Sequence, residues 1–408
     1  MRKHRFALFT HDAYGLGHIR RSVRILSAIS ERRPHAALLL ITGSPVTSLL
    51  RKLPPNADAV KIPTIVTSGG DGTRPSTLNI GVAELASLRG ELTRSVLEAF
   101  DPDVFLVDNF PLGVRLELLP ALRELRRRAT RTVLGLRDVV DPPDKVRRDW
   151  GRDGLYEIVE RYYDRVLVYG VREVLDAAEA YAFSDELAGR LCYCGYVTES
   201  SPAPRDLDQV RSDLGVNDGF FLATVGGGGD GRPLIETFLA AMDRFADRPA
   251  LVVTGELMAG EDREAIARAT ARRSGVVVCR HIDDLPAAMA AADLVVAMGG
   301  YNTAAEILAV GARAVIVPRS WRAGEHDNKG KSGFDAEQLV RAEGLARLGA
   351  VETADPRDFS PESLAAAMQR ALAKPRFEAP AHLRLDGAAS AAELLVELAE
   401  TATPGGFG

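Results

Sequence analysis

The stretch that decides the fold runs from Ala291 to Glu306 and reads AADLVVAMGGYNTAAE. Its apolar first half predicts a buried strand over Leu294–Ala297, and the Gly-Gly pair that follows predicts a sharp turn. A helix is expected to begin near Thr303, with Asn302 as its cap. The amides and positive end of such a helix suit a diphosphate, and the Glu306 carboxylate could accept hydrogen bonds from both hydroxyls of a ribose. The alternative for Glu306 is a favourable charge near the start of the helix.

Strand and helix patterns alternate on both sides of this stretch. Strands are predicted at Arg5–Thr10, Ala37–Thr42, Val104–Val107, Thr132–Leu136, Arg165–Tyr169, Phe220–Val225, Ala250–Thr254, Gly275–Cys279 and Ala314–Val317. Helices are predicted at Ile19–Arg32, Ile80–Phe100, Leu112–Arg128, Leu234–Phe245, Arg263–Arg273, Leu285–Ala292, Thr303–Val310, Phe334–Leu348 and Ala388–Glu400. Near-continuous apolar strands separated by helices are typical of parallel sheets covered on both faces. We therefore expect an α/β protein with two Rossmann-like parallel-sheet domains facing across a cleft, where ligands bind at the carboxyl ends of the strands.

A linker separates the two domains. Ser and Pro accumulate between residues 198 and 205, and such a segment cannot continue either neighbouring pattern. We expect an N-terminal Rossmann-like domain over residues 1–197 and a C-terminal one over residues 206–375. Residues 376–408 are expected to form a helix and a frayed tail that pack back on the N-terminal domain.

The composition is that of a globular protein. Its 408 residues are 46% hydrophobic and 26% charged, which excludes disordered and fibrous classes, and a net charge of −5 argues against nucleic-acid binding. Three cysteines are too few for a disulfide framework or a zinc knuckle. We find no credible signal peptide and no apolar run near the ~18 residues of a membrane span. We expect a cytoplasmic protein without a transmembrane segment, with peripheral contact to the membrane left open.

The loop after the first strand, residues 11–20, reads HDAYGLGHIR. Gly15 and Gly17 allow a tight turn, and His18 begins the helix. The loop is not a dinucleotide fingerprint, because Arg20 stands where the third glycine is required, so NAD is disfavoured. A histidine at a helix start tends to stay neutral and could take a proton from a hydroxyl. The alternative is a histidine that caps or packs locally.

A second glycine-rich loop follows the strand at Phe220–Val225. Gly226, Gly227 and Gly228 allow close approach of the backbone to a ligand, the alternative being a flexible surface turn. Asp101-Pro102-Asp103 precedes a strand and indicates a turn rather than a metal motif. We expect no metal and no other cofactor, because helix amides and glycines can neutralise a leaving diphosphate.

Four blocks of the second half resemble the donor-binding half of the GT-B glycosyltransferases. They are RHIDDL from Arg280, AADLVV from Ala291, GGYNTAAE from Gly299 and GARAVIVP from Gly311. Within that class the region from about Phe220 to Leu348 is similar to the group containing the peptidoglycan N-acetylglucosaminyltransferase. The first half is similar less sharply, through Gly15–His18, VDNFPLG from Val107 and LGLRD from Leu134, to bacterial proteins known only as predicted glycosyltransferases.

The resemblance implies a donor domain in the second half and an acceptor domain in the first. It implies that the Ile282 backbone meets the nucleotide base, that Gly299, Gly300, Asn302 and Thr303 bind the diphosphate, and that Glu306 binds the ribose. Glu337 and Gln338 match an acid-amide pair that contacts the donor sugar, although here they follow an apparent insertion, residues 319–333, that contains Trp321. In the acceptor domain, His18 is the preferred catalytic base, with Asp12, Asp108 and Asp138 in reserve, and Gly15 and Gly17 belong to the acceptor loop.

We therefore expect a metal-independent glycosyltransferase that moves a sugar from a nucleotide-sugar donor, with a UDP-sugar favoured, to an acceptor hydroxyl. The alternatives are a nucleotide-sugar hydrolase, an epimerase of the same fold, or a non-catalytic nucleotide-sugar-binding subunit. The hydrolase has support because Gly-x-Gly-His-x-x-Arg, beginning at Gly15, is similar to a UDP-sugar hydrolase of the pseudaminic acid pathway. The polar loop Thr67–Ser76 favours a soluble acceptor over a lipid-linked one.

Overall fold

The computed structural model describes residues 3–10, 17–45, 47–68, 72–198, 206–216, 219–245, 247–319 and 336–401. These residues form two compact units. The first contains the described residues up to 198 together with 384–401, and the second contains those from 206 to 383. Asp12, Gly15 and Trp321 lie outside the described residues.

The first unit is built on a parallel seven-stranded sheet with an added hairpin. Its strands are β1 (Arg5–Thr10), β2 (Ala37–Thr42), β3 (Ala57–Lys61), β4 (Ile65–Ser68), β5 (Gly72–Pro75), β6 (Val104–Asp108), β7 (Arg131–Arg137), β8 (Arg165–Tyr169) and β9 (Leu191–Tyr193). Its helices are α1 (Gly17–Arg32), α2 (Thr47–Leu50), α3 (Val82–Phe100), α4 (Leu119–Leu125), α5 (Pro143–Asp153), α6 (Leu155–Tyr162), α7 (Ala177–Ala180) and α8 (Asp185–Ala188). The sheet order is β3-β2-β1-β6-β7-β8-β9, and β4 and β5 form a separate antiparallel pair.

The second unit repeats this plan with six parallel strands. They are β10 (Phe221–Thr224), β11 (Ala250–Val253), β12 (Val276–Cys279), β13 (Leu294–Met298), β14 (Ala314–Val317) and β15 (Glu352–Thr353), in the order β12-β11-β10-β13-β14-β15. The helices of this unit are α9 (Leu207–Leu214), α10 (Arg232–Ala241), α11 (Gly260–Thr270), α12 (Leu285–Ala291), α13 (Tyr301–Val310), α14 (Ala336–Arg347) and α15 (Pro361–Ala373). The prediction of two Rossmann-like parallel-sheet domains is confirmed.

The central strands are buried because helices cover both of their faces. Every residue of β6 and of β13 is buried, including the small and branched side chains that the sequence pattern assigns to a parallel sheet. In each sheet the strand order reverses between two central neighbours, β1 and β6 in the first and β10 and β13 in the second. Open parallel sheets bind ligands at the carboxyl ends of the strands beside such a reversal.

The chain returns to the first unit at its end. The last helix, α16 (Gly387–Thr401), packs against α1. Glu400, near the end of α16, forms an ion pair with Arg33, which directly follows α1. In the described residues no helix is both long enough and apolar enough to cross a membrane.

Two predicted helix boundaries are wrong, each for a local reason. α13 begins at Tyr301 with Gly300 as the extended N-cap residue, so Asn302 lies inside the first turn and does not cap it. Of the helix predicted over Leu112–Arg128, only Leu119–Leu125 forms an α-helix. The preceding segment has positive φ at Gly113, Arg115 and Leu116, which ends any regular helix there.

Candidate functional site

The first candidate site lies where the first sheet reverses its strand order. β1 and β6 are hydrogen-bonded neighbours, with Phe9 opposite Val107, so their carboxyl ends lie side by side. Asp108 is the last residue of β6, and α1 begins at Gly17, directly before His18. Two residues that are 90 positions apart in the sequence therefore meet at one edge of the sheet.

His18, Asp108 and Arg21 form a closely connected cluster. Nδ1 of His18 lies 2.5 Å from Oδ2 of Asp108. Arg21 donates from Nε to Oδ1 at 3.1 Å and from Nη2 to Oδ1 and Oδ2 at 2.8 and 3.0 Å. Nη2 of Arg21, which can only donate, lies 2.9 Å from the same nitrogen. We assign the proton to Nδ1 of His18 because the carboxylate can only accept and its contact is the shorter of the two. In the neutral imidazole this leaves the lone pair on Nε2, which is the atom that can receive a proton from a substrate.

The electrostatics of this cluster define the role of Asp108. Both Asp108 and Arg21 are 2% exposed. Burial acts to raise the pKa of Asp108, but the charges of Arg21 and His18 and their hydrogen bonds outweigh it and lower the pKa to about 2. A carboxylate with so low a pKa is a poor proton acceptor near neutral pH. Its geometry suits it instead to orient His18 and to stabilise the imidazolium that forms when Nε2 takes a proton.

Arg21 is a residue that the sequence reasoning did not assign to the site. Its guanidinium lies 4.7 Å from the centre of the Tyr169 ring, at the end of β8, in addition to its three hydrogen bonds with Asp108. The i, i+3 spacing from His18 on α1 places both side chains on one helix face, and the Gly-x-Gly-His-x-x-Arg pattern was the available signal. Asn109, next to Asp108, has a φ of 71° and a buried Oδ1 without a hydrogen-bond partner among the described residues.

Asp138, a reserve candidate for the base, lies at the neighbouring strand end but has other partners. Its Oδ1 accepts a hydrogen bond from the amide of Val139 at 2.7 Å, and its Oδ2 accepts one from the Tyr196 hydroxyl at 3.0 Å. The side chain is 1% exposed. These contacts connect the end of β7 to the segment after β9, so the geometry favours His18 over Asp138 as the base.

The second candidate site lies at the reversal of the second sheet. Thr224 of β10 is opposite Ala297 of β13, so the glycine-rich loop after β10 and the Gly299-Gly300 turn after β13 are neighbours. α13 starts at Tyr301, and helix geometry leaves its first amides without acceptors inside the helix. A helix start beside a glycine-rich loop is a favourable site for a phosphate.

The glycine-rich loop packs against the neighbouring loop. Gly226 and Gly228 have φ values of 61° and 89°. A Cβ at Gly228 would lie 2.0 Å from the carbonyl oxygen of Thr254, and the Leu257 amide donates to the carbonyl of Gly227 at 2.7 Å. The loop after β10 is thus packed directly on the loop after β11, which favours a positioned loop over the alternative of a flexible surface turn. Gly228 has no room for a side chain, and the positive φ of Gly226 favours glycine there.

The predicted sugar-binding pair, Glu337 and Gln338, supports the loop after β13. Oε1 of Gln338 accepts the amide of Gly299 at 3.1 Å and the amide of Arg319 at 3.0 Å. Arg341 is fully buried, donates to the Gly299 carbonyl at 2.9 Å and is paired with Oε1 of Glu337 at 2.9 Å. The structure thus gives Gln338 a direct role, and Glu337 a role through Arg341, in positioning the Gly299-Gly300 turn, and contact with a sugar stays a prediction.

The remaining predicted donor residues lie on the same edge of the sheet. Ile282 is half-buried in the loop between β12 and α12, and Thr303 and Glu306 lie on α13. The amide of Gly255 donates to the carbonyl of Arg280 at 3.1 Å, which connects the loop after β11 to the loop that carries Ile282. Their roles toward base, diphosphate and ribose stay predictions.

The predicted turn at Asp101-Pro102-Asp103 has structural partners. Asp101 ends α3 in a left-handed conformation, and Oδ2 of Asp103 accepts the amide of Arg5 at 2.8 Å. Over the described ranges, no group of three or more His, Cys, Asp or Glu side chains is arranged to hold a metal ion.

Known proteins resemble this arrangement most clearly in the second unit. Residues 223–395 match the glycosyltransferase family 28 C-terminal domain. The chain is similar to the UDP-N-acetylglucosamine–N-acetylmuramyl-(pentapeptide) pyrophosphoryl-undecaprenol N-acetylglucosamine transferase of Brucella anthropi, with 34% identity over 194 residues, 45% of this chain and 48% of the relative. The chain thus spans about half the length of the curated relatives it matches.

Solved structures resemble the whole chain and show its fold. MurG of Acinetobacter baumannii matches with a TM-score of 0.61 at 14% identity, covering 97% of this chain and 100% of MurG. UGT2 of Phytolacca americana, solved with UDP-2-fluoroglucose and pterostilbene, matches with a TM-score of 0.60 at 14% identity, covering 98% and 94%. The chain therefore has the GT-B fold, as the sequence predicted.

Proposed function

We propose that this protein is a glycosyltransferase that moves a sugar from a nucleoside-diphosphate sugar, with UDP as the favoured nucleotide, to an acceptor hydroxyl. The observation that carries the proposal is the family 28 match over residues 223–395, which includes the glycine-rich loop and the start of α13. The names of the Brucella relatives describe transfer of N-acetylglucosamine from its UDP derivative, so UDP-N-acetylglucosamine is the first donor to test.

The second unit would bind the leaving nucleoside diphosphate. The amides at the start of α13 and the glycine-rich loop supply positive ends of peptide dipoles to the phosphates, and Glu306 would accept hydrogen bonds from the ribose. Negative charge that develops on the diphosphate as the glycosidic bond breaks would be stabilised by these groups without a metal ion.

The first unit would supply the base. Nε2 of His18 would take the proton of the acceptor hydroxyl while the oxygen forms its bond to the anomeric carbon and the diphosphate leaves with the electron pair of the broken bond. Asp108 would stabilise the imidazolium through Nδ1, and Arg21 would keep the Asp108 carboxylate ionised and in place. A positioned base of this kind contributes about 10²–10⁴-fold in rate.

The acceptor could be soluble, as expected from the sequence, or carried by a lipid. One observation favours a lipid carrier: the first unit exposes large apolar side chains close together in the chain. On α3, Leu88 and Leu92 are 41% and 39% exposed on one helix face, and Phe110 and Leu116 after β6 are 47% and 54% exposed. Replacing Leu88 and Leu92 by glutamine should reduce flotation with phosphatidylcholine vesicles, whereas Leu207→Gln, on α9 of the second unit, should not. Equal flotation of all three proteins, or none by the unaltered protein, would favour the soluble acceptor.

The proposal is tested by UDP release from UDP-N-acetylglucosamine and related donors, with and without candidate acceptors. Release that depends on an acceptor supports transfer, and release into water alone supports the hydrolase. His18→Ala should lower kcat by about 10²–10⁴-fold and leave UDP affinity within about twofold. UDP binding without release of UDP from any donor tested, with or without acceptors, would return the protein to the class of non-catalytic nucleotide-sugar-binding subunits.

A further inference from the structure

An arginine that the sequence reasoning passed over reaches across the second candidate site. Arg319 follows β14, and Asp230 lies in the loop between β10 and α10. Nε of Arg319 lies 2.7 Å from Oδ2 of Asp230. Since β13 lies between β10 and β14 in the sheet, this ion pair connects the segments that follow the two strands on either side of β13.

The backbone of Arg319 is fixed next to the diphosphate loop. Its amide and the amide of Gly299 share one acceptor, Oε1 of Gln338, at 3.0 and 3.1 Å. Two donors that share one oxygen atom lie close together, so the Arg319 side chain starts beside the turn that precedes α13. Its guanidinium ends at the glycine-rich loop, because Asp230 directly follows Gly229. The positive charge therefore lies between the two backbone elements that suit phosphates.

The ion pair is of a kind that a ligand can replace. The side chains of Arg319 and Asp230 are 34% and 28% exposed, and pairs with that much solvent contact contribute only about 0–1 kcal/mol. Nearby arginines are held more firmly: Arg341 is buried on Gly299 and Glu337, and Arg232 is paired with both Glu236 and Asp262. In the described part of the chain, the Arg319 side chain is paired with the Asp230 carboxylate.

We propose that Arg319 binds the phosphates of the nucleotide, and that Asp230 holds its guanidinium in place when no nucleotide is bound. This inference rests on the proposed function and names a phosphate-binding side chain for its donor site. On binding, the guanidinium exchanges one carboxylate for the oxygens of a diphosphate, which offer more charge and a bidentate geometry. Asp230 competes with the ligand and repels it, so the two partners affect affinity in opposite directions.

The test is calorimetric titration of UDP, uridine and inorganic pyrophosphate into the whole protein and its variants. Arg319→Gln should weaken the affinity for UDP and for pyrophosphate by about 10- to 100-fold. The affinity for uridine should be unchanged, because uridine has no phosphate. Arg319→Lys, which keeps the charge, should recover part of the loss. Asp230→Asn should tighten UDP by about two- to fivefold. The matched control is Arg248→Gln, which removes a comparable exposed pair with Asp293, 2.9 Å long, and should leave UDP binding unchanged.

A purely structural ion pair predicts a different pattern. If the ion pair were purely structural, Arg319→Gln and Asp230→Asn would both weaken UDP binding, and both would weaken uridine binding too. Either result overturns the proposal. Unchanged UDP affinity in Arg319→Gln also overturns it while leaving the proposed function intact. If the unaltered protein binds neither UDP nor pyrophosphate, the proposed function fails together with this inference. Thermal unfolding of each variant separates lost contacts from lost folding.

Discussion

Replacing Asp108 by asparagine removes one charge from the His18 cluster and keeps the shape of the side chain. Burial acts to raise the pKa of Asp108, and the charges of Arg21 and His18 lower it overall from 3.8 to about 2. A difference of this size corresponds to about 2 kcal/mol in favour of the ionised form. Breaking buried ion pairs by removal of one partner costs about 3–5 kcal/mol. We therefore expect the free energy of unfolding at neutral pH to fall by about 2–5 kcal/mol.

The pH dependence of this loss follows from the direction of the pKa shift. Because the pKa is lower in the folded protein, the carboxylate stabilises the fold above its ordinary value of 3.8 and loses that contribution as the pH falls toward about 2. Urea unfolding of both proteins should show the full difference at pH 7 and pH 5 and about half of it at pH 3. A difference that grows as the pH falls would contradict the assignment of an ionised Asp108.

The same variant tests the role of Asp108 in turnover. Without the carboxylate, His18 loses the group that orients its ring and stabilises its charged form. We expect kcat for UDP release to fall by about 10²–10⁴-fold while UDP affinity stays within about twofold, because Asp108 belongs to the first unit. A kcat within about threefold of the unaltered protein would refute the reasoning. The matched comparison is Asp138→Asn, because the Asp138 carboxylate accepts hydrogen bonds from Val139 and Tyr196 and not from His18. This variant should lower the free energy of unfolding but should lower kcat much less than Asp108→Asn does.

Three further predictions concern the second unit. Gly228→Ala should abolish or strongly weaken UDP binding, because its Cβ would lie 2.0 Å from the Thr254 carbonyl oxygen. In Gly226→Ala the added Cβ meets nothing within 4 Å, so this variant should cost only about 1 kcal/mol of backbone strain. Calorimetry with UDP and thermal unfolding check both variants. Glu306→Ala should weaken UDP by about 10- to 150-fold through loss of a charged hydrogen bond to ribose, and an unchanged Kd would leave Glu306 as a favourable helix charge. UDP affinity measured with excess EDTA should equal that measured with magnesium, and affinity seen only with magnesium would contradict a metal-independent site.

The local pattern of the sequence determined much of the fold. β1 and β2 begin and end at the predicted residues, because apolar runs bounded by polar residues have few other stable arrangements. β3 escaped prediction, since none of its five residues is fully buried and its side chains carry no clear apolar pattern. The glycines at 226, 228 and 299 also pointed to their loops, because turns with positive φ or close backbone contact limit the choice of residue.

The sequence alone could not show which side chains, distant in the sequence, form pairs at the ends of the strands. His18 and Asp108 are 90 residues apart, and they meet because β6 is one of the two strands that pair with β1. Arg319 and Asp230 meet for the same reason, across β13. Local propensity acts over a few neighbouring residues, whereas strand order depends on the packing of the whole sheet. Tertiary structure therefore decided that Asp108 serves His18 with a lowered pKa and is not an independent base.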